Sequence, residues 1–295
     1  MTMRRTIFLA AIAASLAYPV LAGDAITIAG SSTVQPVVED AAKAFEAANP
    51  GTRFVISGGG SSHGVQACAA GQITIGMSSR NVSDKERAES PDLVQVKLAT
   101  DGIAIIVHKD NPLTAITKEQ LQKVYSGQIT NWSELGGTNS PIVLIAKQEG
   151  RSTLELFNEY VGLEHQVNGE GPAARMVHKV KGGTTFSTVT AQMIGQNREA
   201  IGQIMTKPNA IAYVSVGTAQ EVAAKGGKVK CLDLEGIAAT VDNVASGAYP
   251  LLRPLTVVTK GAPTGTAKAF INYLMGPDGQ ALAAKHEFVP NKSGV

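Results

Sequence analysis

Three short segments of the sequence share one pattern, in which glycine, serine and threonine follow a predicted strand and precede a predicted helix. They are GSST at 30–33, SGGGSS at 57–62 and GRST at 150–153. The first turn of a helix has backbone N–H groups without partners and a partial positive charge, and nearby hydroxyls add further donors. One such serine or threonine is usually only an N-cap. Three segments of this kind in one chain predict a site for a small oxyanion.

A fourth segment, GMSSR at 76–80, also follows a predicted strand and adds the guanidinium of Arg80. A planar guanidinium can donate two parallel hydrogen bonds, which suits a tetrahedral oxyanion. Nucleotide or esterase chemistry is not indicated, because the sequence has no GxxxxGK[ST] loop and no GxSxG motif. The histidines are scattered and show no HExxH spacing, so we predict neither a metal site nor a cofactor.

Strand and helix patterns alternate along the chain, which predicts an α/β fold with a largely parallel sheet. Strands are predicted at 25–29, 53–57, 73–76, 93–98, 103–108, 142–146, 211–215 and 255–259, and helices at 34–48, 62–71, 118–126, 152–161, 187–196, 266–275 and 280–287. In such sheets ligands bind beyond the carboxyl ends of the strands. The glycine- and hydroxyl-rich segments lie at those ends.

The first 22 residues are predicted to be a secretory signal peptide, because Arg4 and Arg5 precede an apolar run of about ten residues and a small-residue cleavage site near Ala22. A membrane anchor is the alternative, although this run is shorter than the roughly 20 residues that span a bilayer. Without residues 1–22 the acidic and basic side chains are equal in number. The signal peptide predicts a periplasmic protein. Because no Lys/Arg-rich run is present, we do not expect it to bind nucleic acid.

The chain has two cysteines, Cys68 and Cys231. In an oxidising compartment they could form a disulfide. Cys68 lies in a predicted helix at a position typical of a core residue, and neither cysteine has Cys or His neighbours at metal-site spacing. We expect two free thiols, with a disulfide as the alternative.

Almost the whole chain after residue 22 resembles the phosphate-binding proteins of bacterial high-affinity phosphate ABC transporters. The matching segments lie at 29–50, 56–86, 100–112, 121–137, 210–217, 249–265 and 269–290. The resemblance implies an α/β, two-lobed periplasmic binding protein fold of type II, with two hinge crossovers near 99–105 and 253–257 and the ligand in the cleft between the lobes. Lobe I would comprise 23–102 and 255–295, and lobe II would comprise 103–254.

The resemblance also implies which residues bind the anion. These are Ser32, Thr33, Ser61, Ser79, Arg80, Arg151, Ser152 and Thr153. Lys147 and Glu149 stand where many family members have a salt-linked arginine and aspartate, and a lysine cannot donate in the bidentate manner of arginine. We predict that Arg151 supplies the missing guanidinium.

Selectivity against sulfate calls for an acceptor for the proton that phosphate retains at neutral pH. Some relatives have an aspartate where this chain has Ser79. Asp101, in a predicted hinge, is our candidate for the acceptor, and a purely structural role in the hinge is the alternative.

Together these features predict a non-catalytic protein that captures inorganic phosphate and delivers it to the permease subunits of an ABC transporter. One alternative is a binding protein for another oxyanion, such as sulfate or molybdate. The other is a secreted phosphate-ester hydrolase, which would need a nucleophile with a base or a metal, and the sequence shows no such cluster. Delivery to a transporter requires no symmetry, so we expect a monomer.

Overall fold

The computed structural model describes residues 25–291. The predicted signal peptide at 1–22 lies outside the described residues. In chain order the strands are β1 Ile26–Gly30, β2 Phe54–Gly59, β3 Ile75–Ser78, β4 Leu93–His108, β5 Ala115–Ile116, β6 Val143–Lys147, β7 Leu163–Asn168, β8 Arg175–Val180, β9 Ala191–Ile194, β10 Ala210–Ser215, β11 Val229–Leu234, β12 Leu252–Lys260 and β13 Val289–Pro290. The helices are α1 Gln35–Ala48, α2 Ser61–Ala69, α3 Asp84–Glu89, α4 Lys118–Tyr125, α5 Ser152–Val161, α6 Asn197–Thr206, α7 Val216–Ala224, α8 Val241–Ala245, α9 Gly265–Met275 and α10 Pro277–Lys285.

One long strand, β4, belongs to both halves of the sheet. Its first part pairs antiparallel with β12, in a half with the order β2-β1-β3-β12-β4. Its last part pairs antiparallel with β10, in a half with the order β4-β10-β6-β9-β8-β7. The sequence predicted two strands, at 93–98 and 103–108, whereas the structure has one strand of 16 residues. The chain therefore crosses between the halves without a break in β4.

Two large apolar cores lie on either side of this crossing. The first surrounds β1, β3, α1 and α9, where Phe45 and Phe270 meet edge to face. The second begins at Ile103 and includes Phe157, which stacks on Tyr213 with ring centroids 3.9 Å apart. Each core is built on the apolar face of its own helices, as in two separate lobes. The expected lobe boundaries at 102/103 and 254/255 remain a prediction.

The sheet type and one predicted helix also differ from the structure. The sheet is mixed, because the parallel groups β2-β1-β3 and β10-β6-β9 are joined by antiparallel strands. The predicted helix at 187–196 is wrong, since this stretch contains β9, which pairs parallel with β6. Three β-branched residues at 188–190 precede β9, and such residues lose side-chain freedom in a helix.

The two cysteines are free. The Cys68 thiol is buried and donates to the carbonyl oxygen of Val258 at 3.3 Å, while Cys231 lies in β11. The disulfide alternative therefore does not apply to this structure. Across residues 25–291, no helix has both the length and the apolar character needed to cross a membrane.

Candidate functional site

The start of α2, the start of α5 and the loop before α1 meet where the two lobes face each other. They line a narrow polar cavity between the lobes. Its lining consists of Ser31, Ser32, Thr33, Gly60, Ser61, Ser79, Arg151, Ser152, Thr153, Gly195 and Asn197. The sequence-predicted residues are all in this lining except Arg80 and Asp101.

The helix starts reach the cavity because each helix is anchored in the core of its own lobe. Val65 and Cys68 of α2 are buried in a small cluster behind β3, and Leu154 of α5 is buried in the core of lobe II. The chain turns into α2 at Gly60, whose φ is +95°. A side chain there would place Cβ 2.5 Å from the Gly150 carbonyl oxygen, so glycine allows the two lobes to touch.

Four buried serine hydroxyls form a cluster in the cavity. The Oγ of Ser79 lies 2.7 Å from that of Ser152 and accepts a hydrogen bond from Ser31 at 3.0 Å. Ser61 donates to Ser152 at 3.1 Å. Ser152 lies in lobe II and the other three lie in lobe I, so these bonds join the lobes. Each hydroxyl can donate or accept, which lets the cluster reorient around an oxyanion.

Two threonines are oriented by Arg253, an arginine in β12. Its Nη2 donates to the Thr33 hydroxyl at 3.1 Å and its Nη1 donates to that of Thr153 at 2.8 Å. The amide of Asn197 also donates to Thr33, at 3.0 Å. A hydroxyl oxygen has two lone pairs, and both lone pairs of Thr33 are thus engaged. Its O–H is left to donate, which gives the cavity a fixed donor.

Asp101 binds Arg253 and does not line the cavity. Its Oδ2 accepts from Nη2 and Nε of Arg253 at 2.8 and 3.0 Å, and its Oδ1 accepts from the backbone N–H of Gly217 at 3.3 Å. Both side chains are buried. The sequence led us to expect that Asp101 accepts the proton of the ligand. In the structure the carboxylate oxygens of Asp101 face Arg253 and the backbone of Gly217 instead. The geometry fits a residue that positions Arg253.

The Arg151 guanidinium lines the cavity, and its Nη1 is buried with no hydrogen-bond partner among the described residues. Burial lowers the pKa of Arg151, although a guanidinium keeps its charge at neutral pH. A buried donor without a partner costs free energy, and a charged one costs more. An oxyanion in the cavity would supply the missing acceptor.

Lys147 lies behind the cavity lining. Its ammonium is buried and donates to the Gln196 carbonyl oxygen at 2.9 Å. Burial, together with the positive charges of Arg253 and Arg151, lowers the pKa of Lys147 to about 7. Glu149, the other departure from the family pattern, is exposed and lies 3.5 Å from Nε2 of His165. Lys147 therefore adds positive charge behind the cavity only when it is protonated, and Glu149 does not reach the cavity.

Arg80 points away from the cavity, contrary to the sequence-based expectation. Its Nη1 and Nη2 donate to the carboxylate of Glu86 at 2.7 and 2.8 Å, and its Nε lies 2.7 Å from Oε2 of Glu155. Two carboxylates hold the guanidinium outside the lining. Within the described part of the chain, no group of three or more His, Cys, Asp or Glu side chains could hold a metal ion.

Comparison with known proteins identifies the family. Residues 18–278 match the family described as the PBP superfamily domain. The chain is 31% identical over 270 residues to the phosphate-binding protein PstS of Bacillus subtilis (strain 168), which covers 91% of this chain and 81% of the relative. This chain belongs to the family of PstS phosphate-binding proteins.

Solved structures of phosphate-binding proteins have the same architecture. The phosphate ABC transporter substrate-binding protein of Clostridium perfringens, with bound phosphate, has a TM-score of 0.77 at 31% identity and covers 91% of this chain and 100% of that one. The ABC-type phosphate transport receptor of Vibrio cholerae has a TM-score of 0.69 at 26% identity, covering 90% and 100%. The expected family and the two-lobed type II fold are therefore confirmed.

Three polar side chains in or beside the cavity were not among the ligands predicted from the sequence. Ser31 is buried in the serine cluster, whereas the predicted Ser32 is only partly buried. Asn197 and Arg253 come from α6 and β12, far from the predicted segments. Arg253 could have been noticed as a charged residue within the apolar stretch LLRPLTVV.

Proposed function

We propose that this protein captures inorganic phosphate in the cleft between its lobes and delivers it to the permease of a phosphate ABC transporter. The observation that carries the proposal is the buried Nη1 of Arg151, which is unpartnered among residues 25–291 and belongs to a side chain that lines a cavity rich in hydroxyls. An anion would satisfy this donor and balance its charge. Bound phosphate in the Clostridium perfringens relative supports phosphate as that anion.

The proposed ligands of the anion come from both lobes. Arg151 supplies the charge, and Arg253 with Asp101 orients the threonines. The proposed hydroxyl ligands are Ser31, Ser32, Thr33, Ser61, Ser79, Ser152 and Thr153. Because the anion would touch both lobes only when they are closed, binding would shift the protein toward the closed form.

Hydroxyls also offer an acceptor for the proton that phosphate retains. The cavity lining, as far as the structure describes it, contains no carboxylate. A carboxylate in the lining would reject sulfate strongly, because sulfate has no proton to donate and would leave the carboxylate without a hydrogen bond. A serine can turn its O–H toward either anion. We therefore propose that this chain discriminates against sulfate only moderately, which keeps another oxyanion as the alternative ligand.

A hydrolase is the less supported alternative. The serine hydroxyls of the cavity contact one another and backbone N–H groups. A serine nucleophile needs a base within hydrogen-bond reach. The hydrogen bonds of the cavity serines include none to a basic side chain among the described residues; Arg253 donates to the two threonines, and the Lys147 ammonium donates to a backbone carbonyl. The arrangement supports binding without covalent chemistry.

The proposal includes a periplasmic location, cleavage of the signal peptide near Ala22, and a monomer. The location and the cleavage rest on the basic and apolar pattern of the first 22 residues. The location and the monomer also rest on the family's role in transport. The permease subunits are the proposed protein partner, since a substrate-binding protein of an ABC transporter must hand its solute to them.

Isothermal titration calorimetry tests the proposal. Residues 23–295 are unfolded in guanidinium chloride and refolded, which removes copurified anion, and are then titrated with phosphate, sulfate and molybdate. We expect one-to-one binding that is tightest for phosphate. A preference for sulfate or molybdate would move the function to another oxyanion. Hydrolysis of p-nitrophenyl phosphate with divalent metals present would instead support the hydrolase.

A further inference from the structure

Arg80 and Glu155 form an ion pair across the cleft, outside the anion cavity. The Arg80 Nε lies 2.7 Å from Oε2 of Glu155. The other carboxylate oxygen, Oε1, accepts from the hydroxyl of Ser62 at 2.9 Å. Ser62 itself accepts from Nη2 of Arg80 at 3.0 Å. One oxygen of Glu155 thus accepts a hydrogen bond from Ser62, and the other is in ion-pair contact with the Arg80 Nε without hydrogen-bond geometry.

The partners of this contact are anchored in different lobes. Glu155 lies on α5, between Leu154 and Phe157, which are buried in the core of lobe II. Arg80 follows β3, whose residues Ile75 and Met77 are buried in the core of lobe I. The ion pair exists only while the lobes are closed, because opening moves α5 away from β3.

Arg80 is prepared for this contact by a partner within its own lobe. Glu86 accepts from both terminal nitrogens of Arg80, and its carboxylate also accepts from the backbone N–H of Ser83 in a capping box. The Arg80 and Glu86 side chains are only 11% and 13% exposed. A guanidinium held in place loses little side-chain entropy on meeting Glu155, so the pair is stronger than one between mobile surface groups.

We propose that Glu155 is a positioning residue for anion binding and that it forms, with Arg80, a latch that holds the closed form. Ser152 lies three residues before Glu155 on α5, and residues at this spacing share a helix face. Fixing Glu155 against lobe I therefore fixes the Ser152 hydroxyl against Ser61 and Ser79. This inference rests on the proposed function for its affinity readout.

The latch contributes to affinity without touching the anion. The apparent Kd equals the intrinsic Kd divided by the populated fraction of the binding-competent form. Loss of the latch lowers that fraction. The anion enters the open cleft no more slowly, but the closed lobes separate more readily. The expected result is faster release with no loss in the rate of capture.

The test compares Glu155→Gln with Glu164→Gln. Glu164 is an equally exposed glutamate in lobe II, and its ion pair with Lys179 at 2.9 Å stays within that lobe. For Glu155→Gln we expect a rise of about tenfold in the Kd of phosphate, carried by the dissociation rate, with an association rate that does not fall and an unchanged melting temperature without ligand. Glu164→Gln should match the wild type in all four quantities.

A double-mutant cycle with Arg80→Gln shows whether the two residues act together. The double variant should bind phosphate no more weakly than the weaker single variant. Additive losses, an unchanged Kd for Glu155→Gln, or an equal loss in Glu164→Gln would overturn the latch. Small-angle X-ray scattering of the phosphate-free proteins tests the latch without depending on phosphate binding, and so without depending on the proposed function. Even if the wild type fails to bind phosphate, a larger radius of gyration in Glu155→Gln supports the latch and an equal one refutes it.

Discussion

Asp101 and Arg253 face each other as direct partners in the β4–β12 ladder, and their side chains form a buried ion pair at 2.8 Å. The pair lies beside the cavity, behind Thr33 and Thr153. A carboxylate that was expected to meet the ligand is instead bound to an arginine that orients two hydroxyls. The residue that was expected to select phosphate over sulfate therefore positions Arg253 instead.

The first prediction concerns Asp101→Asn. This change leaves the buried charge of Arg253 without its carboxylate, which should lower the free energy of unfolding by about 3–5 kcal/mol. Because Asp101 does not line the cavity, the ratio of the sulfate Kd to the phosphate Kd should stay the same. Denaturant unfolding and competition titration measure the two effects. A smaller ratio in Asp101→Asn than in the wild type would indicate that Asp101 contacts the ligand.

The second prediction concerns the two candidate cations. Arg151→Ala removes a charged donor from the cavity lining and should raise the phosphate Kd by about 10–100-fold, since hydrogen bonds to charged groups contribute about 1.5–3 kcal/mol. Lys147→Ala should cost less, because Lys147 lies behind the lining. The control is Arg175→Ala, an arginine of lobe II bound to backbone carbonyls only, which should bind like the wild type. Calorimetry giving the opposite order for Arg151 and Lys147 would contradict this assignment.

The third prediction concerns pH and Lys147. The pKa of Lys147 is lowered to about 7, so the free protein gains this charge only as the pH falls through that value. A bound anion favours the charged ammonium and raises its pKa. Binding should therefore take up protons just above neutral pH, and the contribution of Lys147 to affinity should fade as the pH rises.

Lys147→Met separates this effect from the titration of phosphate itself. The wild type and the variant share the anion, so the difference between them reports the lysine. Binding enthalpies at pH 8 in buffers of different ionisation enthalpy give the number of protons taken up. Equal proton uptake by the two proteins would show that Lys147 is not coupled to the anion.

The fourth prediction concerns closure at Gly60. A Cβ there would lie 2.5 Å from the Gly150 carbonyl oxygen, so Gly60→Ala should hold the lobes apart and raise the phosphate Kd by more than tenfold. The change also strains a positive φ. Gly71→Ala is the matched control, because Gly71 has a φ of +69° with open space around it. Scattering with saturating phosphate should show the expanded form for the Gly60 variant alone, and comparable affinities in the two variants would count against the steric explanation.

Local sequence patterns predicted much of the site because its ligands lie at strand and helix ends. The segments around Ser61 and Ser152 carry their signal in adjacent residues. The choice of Ser32 over Ser31 was not decidable from composition, since both follow Gly30 and only burial separates them. The role of Arg253 depends on pairing with Asp101, and a contact between residues so distant in sequence has no local signal.

Charge pairing explains the main misplacement in the site. Arg80 has the residue type and the position in sequence that suit an anion ligand. In the structure its guanidinium is instead paired with Glu86 and Glu155. In the fold, amphipathic helices such as α1 and α5 were predicted almost to their ends. The antiparallel strands β7 and β8 were missed because polar residues such as His165 and Gln166 interrupt their apolar alternation.

The continuity of β4 has a consequence for how a solute is handled. If the lobes rotate about the place where β4 and β12 meet, atoms near that place travel least, and Asp101 and Arg253 keep each other as neighbours throughout. An arriving solute then meets the Thr33 hydroxyl already oriented by Arg253, and the start of α5 brings Arg151 and Ser152 to it as one body. Orientation and charge would thus be set by separate stretches of the chain, so either could change in evolution without disturbing the other.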